Sequence, residues 1–125
     1  MRRILLGTIL ILAVVLGSSP AVAIGPTANF QGSCLAFSKN CDFDASKPAA
    51  NPSACAGGAF IIQYDWTLTN PSATKTGNPI TQTFNSTTAS VTLKITCSDG
   101  REASITRSVC FSGGSGCILP DQGYN

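Results

Sequence analysis

Asp42 and Asp44 are the two residues whose type and spacing most directly suggest a chemical role. Side chains two apart on a strand point to one face, so this pair could act as acid and base or bind a cation. A calcium site needs about six or more oxygen ligands, and no third carboxylate lies close in the sequence. We therefore expect a structural role for the pair, and no metal ligand, cofactor or catalytic residue.

The other candidate side chains also have plain structural interpretations. Asp65 is expected to face solvent on a strand, and Asp99 comes before Gly100 as a turn residue. Tyr64 and Trp66 could stack on a sugar ring, but they lie on the apolar face of an alternating segment. Aromatic residues in that pattern usually pack inside a β-sandwich, so both are expected in the core.

The absence of histidine limits the chemistry further. It removes the commonest general base and metal ligand, and with it serine triads, Cys–His pairs and His-based zinc sites. Only 11% of the 125 residues are charged, the formal net charge is +2, and no Lys/Arg cluster occurs beyond the first three residues. The sequence therefore predicts a protein that is not an enzyme and does not bind nucleic acid.

Residues 1–23 have the pattern of a secretory signal peptide. A basic start precedes an apolar run over residues 4–17, and small residues at 21–23 provide a cleavage site. The run is shorter than the roughly 20 apolar residues of a membrane span. We expect cleavage after Ala23 and a secreted or periplasmic mature chain without a membrane span. Losing two arginines leaves six basic and six acidic residues.

Six cysteines lie beyond the signal peptide, and an even number in a short exported chain predicts three disulfides. A metal site is less favoured, since there is no C-x-x-C pair and no histidine. The number of cysteines alone permits about 15 pairings. The cysteines are Cys34, Cys41, Cys55, Cys97, Cys110 and Cys117.

The mature chain has the alternation of β-strands and no helical period. Apolar residues at every second position predict one buried face per strand, and Asp99-Gly100 predicts a hairpin. About seven short strands in some hundred residues indicate an all-β antiparallel sandwich. Six of these strands are predicted at 28–37, 41–46, 59–69, 79–85, 89–97 and 102–111. The even positions from Phe60 to Leu68 are expected to face inward. The predicted core includes Phe43, Tyr64, Trp66, Val91, Leu93 and Ile95.

Three stretches resemble PKD (polycystic kidney disease-type) domains, which are immunoglobulin-like sandwiches of secreted and surface proteins. They are "ANFQGSCLAFSKNCDFDAS" (28–46), "GGAFIIQYDWTL" (57–68) and "ASVTLKITCSDGREASITRSV" (89–109). The resemblance implies a PKD-like sandwich over residues 24–111, with Trp66 in its core, followed by a Gly-rich tail, 112–125. In the family, the aspartate of "FDAS" mostly fixes a nearby loop.

Two segments depart from the family pattern. The acidic loop that usually follows "FDAS" is replaced by "KPAANPSACAGG" (47–58), and the W-x-F-G-D-G turn by "WTLTNPSATKTG" (66–77). Both replacements remove carboxylates, so a calcium role carried over from the family is not expected.

The resemblance also implies a disulfide pattern. In such a sandwich the strands at 41–46 and 89–97 run the same way, which separates Cys41 from Cys97. The loop before 59–69 and the turn after 89–97 share one end, so Cys55 can meet Cys97. The implied pairs are Cys34–Cys41, Cys55–Cys97 and Cys110–Cys117.

Loops on a rigid sandwich are where binding residues usually gather. The loops 47–58, 70–78 and 98–101 are therefore the candidate binding region, with Asn51, Pro52, Asn70, Lys75, Asn78, Asp99 and Arg101 as candidate residues. We expect an exported, monomeric, non-catalytic binding or adhesion module for an extracellular polysaccharide or protein. A small disulfide-stapled secreted inhibitor or protective protein acting on a hydrolase is the alternative.

Overall fold

The computed structural model describes residues 25–113, 116–118 and 120, which form two β-sheets. The predicted signal peptide, 1–23, lies outside these residues. No helix in the described part of the chain could span a membrane.

Eight strands make up the two sheets. The first sheet has the order β1-β2-β5 and the second β4-β3-β6-β7-β8. Neighbours are antiparallel except β7 and β8, which are parallel. The expected all-β sandwich is confirmed, but β4 and β8 were not predicted as strands. The bounds are β1 Gln31–Cys34, β2 Asn40–Asp44, β3 Ile61–Leu68, β4 Ala73–Thr76, β5 Ile80–Thr83, β6 Thr88–Cys97, β7 Glu102–Cys110 and β8 Cys117–Ile118.

The core lies between the sheets and is centred on three aromatic rings. Phe30 meets the rings of Phe43 and Trp66 edge-on, at centroid distances of 5.8 and 5.2 Å. Such edge-to-face contacts add stability beyond the apolar area that they bury. Trp66 also donates its indole N–H to the carbonyl oxygen of Gly77 at 2.8 Å, which satisfies its polar atom. Five of the residues expected in the core are buried, namely Phe43, Trp66, Val91, Leu93 and Ile95.

At the beginning of β3, the prediction of which side chains face inward is wrong. A register shift between Ile61 and Gln63 inserts a β-bulge opposite β6. Because a bulge places two residues against one, it reverses the alternation on one side of it. Phe60 and Ile62 are therefore exposed instead of buried, while Ile61 packs against the core. Tyr64, expected in the core, is only half-buried at its edge.

The three disulfides join Cys34 to Cys41, Cys55 to Cys97 and Cys110 to Cys117. These are the pairs implied by the resemblance. Cys55–Cys97 connects the segment after β2 to the end of β6. Cys110–Cys117 holds the tail next to β7, where residues 117–118 pair in parallel with 108–109.

The tail packs on β1 through a glycine. A Cβ atom at Gly32 would lie 2.8 Å from Ile118 Cδ1 and 2.9 Å from the ring of Phe43. Any larger residue would force these buried side chains apart. Gly32 therefore allows β8 to approach β1, so part of the expected tail belongs to the sandwich.

The sandwich has two ends with different loops. We call the end formed by residues 45–60, 77–79 and 98–101 the loop end, which Cys55–Cys97 crosses. The opposite end, formed by the turn of the β1–β2 hairpin (residues 35–39) and by residues 69–72 and 84–87, is the hairpin end. Backbone hydrogen bonds from Phe84 to Lys39 and from Asn85 to Asn70 hold the hairpin end together.

Candidate functional site

Asn51 and Pro52 of the loop end lie beside a buried polar cluster. The backbone N–H of Asn29 donates to Ser53 Oγ at 2.8 Å, and that hydroxyl donates back to the Asn29 carbonyl at 2.5 Å. The Asn29 side-chain amide donates to the Asn51 carbonyl at 2.6 Å. Asn29 and Ser53 are both buried. These contacts attach the 47–58 loop to the segment before β1.

Arg107, on β7, completes this cluster. Its guanidinium donates to Asn29 Oδ1 at 2.5 Å and lies 5.4 Å from the centroid of the Phe30 ring. Its Nε is buried and has no hydrogen-bond partner among the described residues. The inward arginine that interrupts the apolar alternation of β7 thus connects β7 to the segment before β1.

Asp99 and Arg101 form a self-contained pair in the β6–β7 turn. Arg101 donates its backbone N–H to Asp99 Oδ1 at 3.1 Å and its Nε–H to Asp99 Oδ2 at 2.9 Å. These hydrogen bonds hold the pKa of Asp99 below its usual value. Arg101 also donates to the carbonyl oxygen of Ala56 at 3.3 Å, which ties the turn to the preceding loop.

We expected the segment 70–78 to form one loop, but it does not. Asn70 lies at the hairpin end, where its side-chain amide donates to the Thr88 carbonyl at 2.8 Å. Lys75 lies in β4, and its ammonium group donates to the carbonyl oxygen of Thr81 in the other sheet. The expectation that 70–78 joins the other two loops in one binding region is therefore wrong, because β3 and β4 form a hairpin.

Asn78 is at the loop end but has a structural role. Its Oδ1 accepts the backbone N–H of Ala45 at 2.7 Å, and its Nδ2 donates to Asp44 Oδ1 at 3.0 Å. The side chain therefore connects the end of β2 to the start of β5. Like the Asp99–Arg101 pair, it uses its polar atoms within the protein.

A groove of about 440 Å³ lies along the three-stranded sheet. The strand register places Ser33 opposite Asp42 and Asp42 opposite Thr81, so their side chains form one row across three strands. Gln31 is opposite Asp44 in a second row. The groove is lined by Gln31, Gly32, Ser33, Asp42, Asp44, Lys47, Pro79, Ile80 and Thr81.

The two aspartates in the groove differ in their surroundings. Asp42 Oδ1 accepts a hydrogen bond from the Thr81 hydroxyl at 2.7 Å. Asp44 Oδ1 accepts the backbone N–H and the hydroxyl of Ser46 at 2.9 and 2.6 Å, besides Asn78. Partial burial raises the pKa of Asp44, but these hydrogen bonds and the charge of Lys47 outweigh it, so its pKa is lowered. Asp44 is thus an ionised residue that fixes the turn after β2.

Several groups of the groove remain open to a ligand. Within the described part of the chain, the side chains of Gln31, Ser33 and Lys47 form no hydrogen bond, and Asp42 Oδ2 accepts none. Together they offer an amide, a hydroxyl, an ammonium group and a carboxylate oxygen. The described residues contain no group of three potential metal ligands. The groove can therefore form hydrogen bonds to a polar, hydroxyl-rich molecule.

Asp42 and Asp44 are the groove residues that the sequence pattern marks as a pair. The pairing of β1 with β2 and of β2 with β5 brings in Ser33 and Thr81, which lie 48 positions apart in the sequence. Alternation along 31, 33, 42 and 44 could have shown that these residues share an outer face. No signal in the sequence gave the register. No protein-family model and no curated protein matches the chain.

Proposed function

We propose that the chain is an exported, non-catalytic binding module whose groove holds an extracellular polysaccharide. The observation that carries the proposal is the row of Ser33, Asp42 and Thr81, flanked by Gln31 and Lys47. Hydroxyl and carboxylate groups in such a row can bind the hydroxyls of a sugar chain. Three disulfides are typical of an oxidising compartment and support export.

The PKD-type identity of the sandwich belongs to the same proposal. Strands β1, β2 and β5 correspond to A, B and E of an immunoglobulin-like fold. Strands β3, β6 and β7 correspond to C, F and G, with β4 beside C. This strand order supports an immunoglobulin-like architecture. Modules of this architecture commonly bind through exposed loops and faces. The fold alone does not identify a ligand, so the proposal of a polysaccharide depends on the side chains of the groove.

The polar character of the groove favours a polysaccharide over a protein partner. Protein interfaces bury an apolar or aromatic centre, with hot spots rich in Trp, Tyr and Arg. The groove has Ile80 and Pro79 at one side and no aromatic residue among its lining side chains. The polar groups of the groove suit a ligand that can donate and accept hydrogen bonds at many positions.

The test is retention of the oxidised mature protein on insoluble chitin and cellulose, with soluble polysaccharides titrated in parallel. Asp42→Asn removes a charged acceptor but keeps the shape of the side chain. A hydrogen bond to a charged group contributes about 1.5–3 kcal/mol, so we expect affinity to fall by about tenfold or more. Ser33→Ala is expected to reduce it by about two- to tenfold.

A matched control is Ser104→Ala, an exposed serine on β7 of the other sheet. This variant should bind as the wild type does. Equal losses for Ser33→Ala and Ser104→Ala would show that the groove is not the binding site. If the wild-type protein binds none of the polysaccharides, the proposed ligand class is wrong.

A further inference from the structure

The tip of the β1–β2 hairpin, residues 35–39, presents two apolar side chains to solvent. Phe37 is fully exposed, at 104% of its reference area, and Leu35 is 59% exposed. Exposing an aromatic ring in this way forgoes the free energy that its burial would provide. Clustered apolar exposure commonly marks an interaction site. The hairpin tip follows the end of β1 that is opposite to Gln31, and Ser33 is the open polar group of the groove nearest to it in the sequence.

The hairpin tip is held in place by several bonds. Cys34–Cys41 closes the hairpin, and the Leu35 N–H donates to the Asn40 carbonyl at 2.9 Å. Within the tip, the Lys39 N–H donates to the Leu35 carbonyl at 3.0 Å. Phe37 is therefore exposed on an ordered turn, and little conformational entropy is lost when such a turn binds.

The two ends carry different charges, because the loop end has both signs, with Lys47 and Arg101 as well as Asp99, whereas the hairpin tip has a single cation. Lys39 is the only charged residue of the hairpin tip, and segments 69–72, 84–88 and 111–113 contain none. Among the described carboxylates, Asp44, Asp99 and Glu102 lie at or next to the loop end. The other two, Asp42 and Asp65, lie on strands β2 and β3. The hairpin end thus offers apolar side chains and a cation, with hydroxyl and amide groups around them.

This combination suits a lipid surface better than a protein cleft. Peptides that enter a protease cleft or a sheet edge bind as extended strands, whereas the bond from Lys39 to Leu35 folds the hairpin tip into a turn. A stable protein interface needs roughly 800 Å² from each partner. Among the described residues, the exposed large apolar side chains of this end are Leu35 and Phe37, which are too few for such an interface. Insertion into a membrane interface needs neither an extended chain nor a shaped partner.

We propose that the hairpin tip docks on an anionic lipid membrane, with Phe37 and Leu35 entering the headgroup–acyl boundary. The apolar side chains supply burial, and Lys39 interacts with anionic headgroups. The loop end then faces away from the membrane. The contact is weak and reversible, because two side chains bury less apolar area than one acyl chain, which itself binds only marginally. This inference is separate from the polysaccharide groove.

The experiment is co-sedimentation of the oxidised mature protein with two kinds of vesicle, one of phosphatidylcholine and one of equal parts phosphatidylcholine and phosphatidylglycerol. Lipid is titrated into the millimolar range, where weak partitioning is measurable. Wild-type protein should bind the anionic vesicles more strongly. Phe37→Ser should lower the partition coefficient by about tenfold or more. Lys39→Gln should lower it by about fivefold on anionic vesicles only.

The matched control is Phe60→Ser, because Phe60 is an exposed phenylalanine at the loop end. It should leave vesicle binding unchanged, as should the groove variant Ser33→Ala, which separates this test from that of the polysaccharide. Urea unfolding followed by Trp66 fluorescence shows that each variant is folded. Equal losses for Phe37→Ser and Phe60→Ser would overturn the proposal. So would a wild-type protein that binds neither vesicle, which would instead favour a protein pocket as the occupant.

Discussion

The candidate binding residues at the two ends of this sandwich differ in what they contact. At the loop end, Asn78, Asp99 and Arg101 form hydrogen bonds to their own chain. At the hairpin end, Phe37 has no such contacts and projects fully into solvent. Both ends carry a disulfide, but one crosses between distant segments and the other closes a short hairpin.

This difference shows that long polar loops are not sufficient to mark a binding site. The loop end must connect two sheets, and its buried backbone groups need partners. Asn29 and Ser53 meet that need. The hairpin end has a short turn that satisfies its own backbone, which leaves its side chains available for contacts outside the molecule.

The largest difference is expected between the two disulfides. Replacing Cys55 and Cys97 by serine removes a bridge that spans 42 positions, whereas Cys34–Cys41 spans 7. The chain-entropy treatment gives losses of roughly 4 and 2.5 kcal/mol in the free energy of unfolding. Urea unfolding of the two double variants measures both. A larger loss at the hairpin would contradict the view that the loop end carries the stability.

A smaller contrast is expected between two serines. Ser53→Ala leaves the buried N–H and carbonyl of Asn29 without partners, which should cost about 1–3 kcal/mol. Ser38→Ala removes only an exposed contact with the Asn40 N–H at 3.3 Å, so a change within about 0.5 kcal/mol is expected. Thermal unfolding of both variants measures the two losses of stability. Similar losses would contradict the view that the Ser53 side chain stabilises the fold more than the Ser38 side chain does.

Acid should loosen the loop end before the hairpin end. The pKa values of Asp44 and Asp99 are lowered in the folded protein. Their stabilising effect is therefore present above the unfolded value of about 3.9, and it is lost as the pH falls through the folded values. Amide hydrogen exchange between about pH 5 and 2 should show earlier loss of protection near Ser46 and Arg101. In Asp44→Asn the change near Ser46 should be weaker.

The smallest effect on stability is expected at the two exposed phenylalanines. Phe37→Ser and Phe60→Ser remove side chains that lie mostly in solvent, so each should change the free energy of unfolding by at most about 0.5 kcal/mol. Urea unfolding checks this. A clear loss in Phe37→Ser would mean that the ring packs on the sandwich, and its availability for docking would be disproved.

Alternation predicted the strands best where the sheet is regular. Strand β6 follows the expected pattern, with Val91, Leu93 and Ile95 buried. The prediction failed at Phe60 and Ile62, because a bulge is set by pairing with β6 and leaves no mark in the local pattern. It also missed β4, because Ala73–Thr76 is short and polar and becomes a strand only by pairing with β3.

The sequence by itself determined the β class, the number of disulfides from its six cysteines, and most of the apolar core, since these depend on composition and local period. Only the tertiary structure decided which polar residues are used internally and which remain open. Ser33 and Thr81 join Asp42 through strand register, which depends on contacts between distant segments. The exposure of Phe37 likewise depends on what the rest of the fold leaves uncovered.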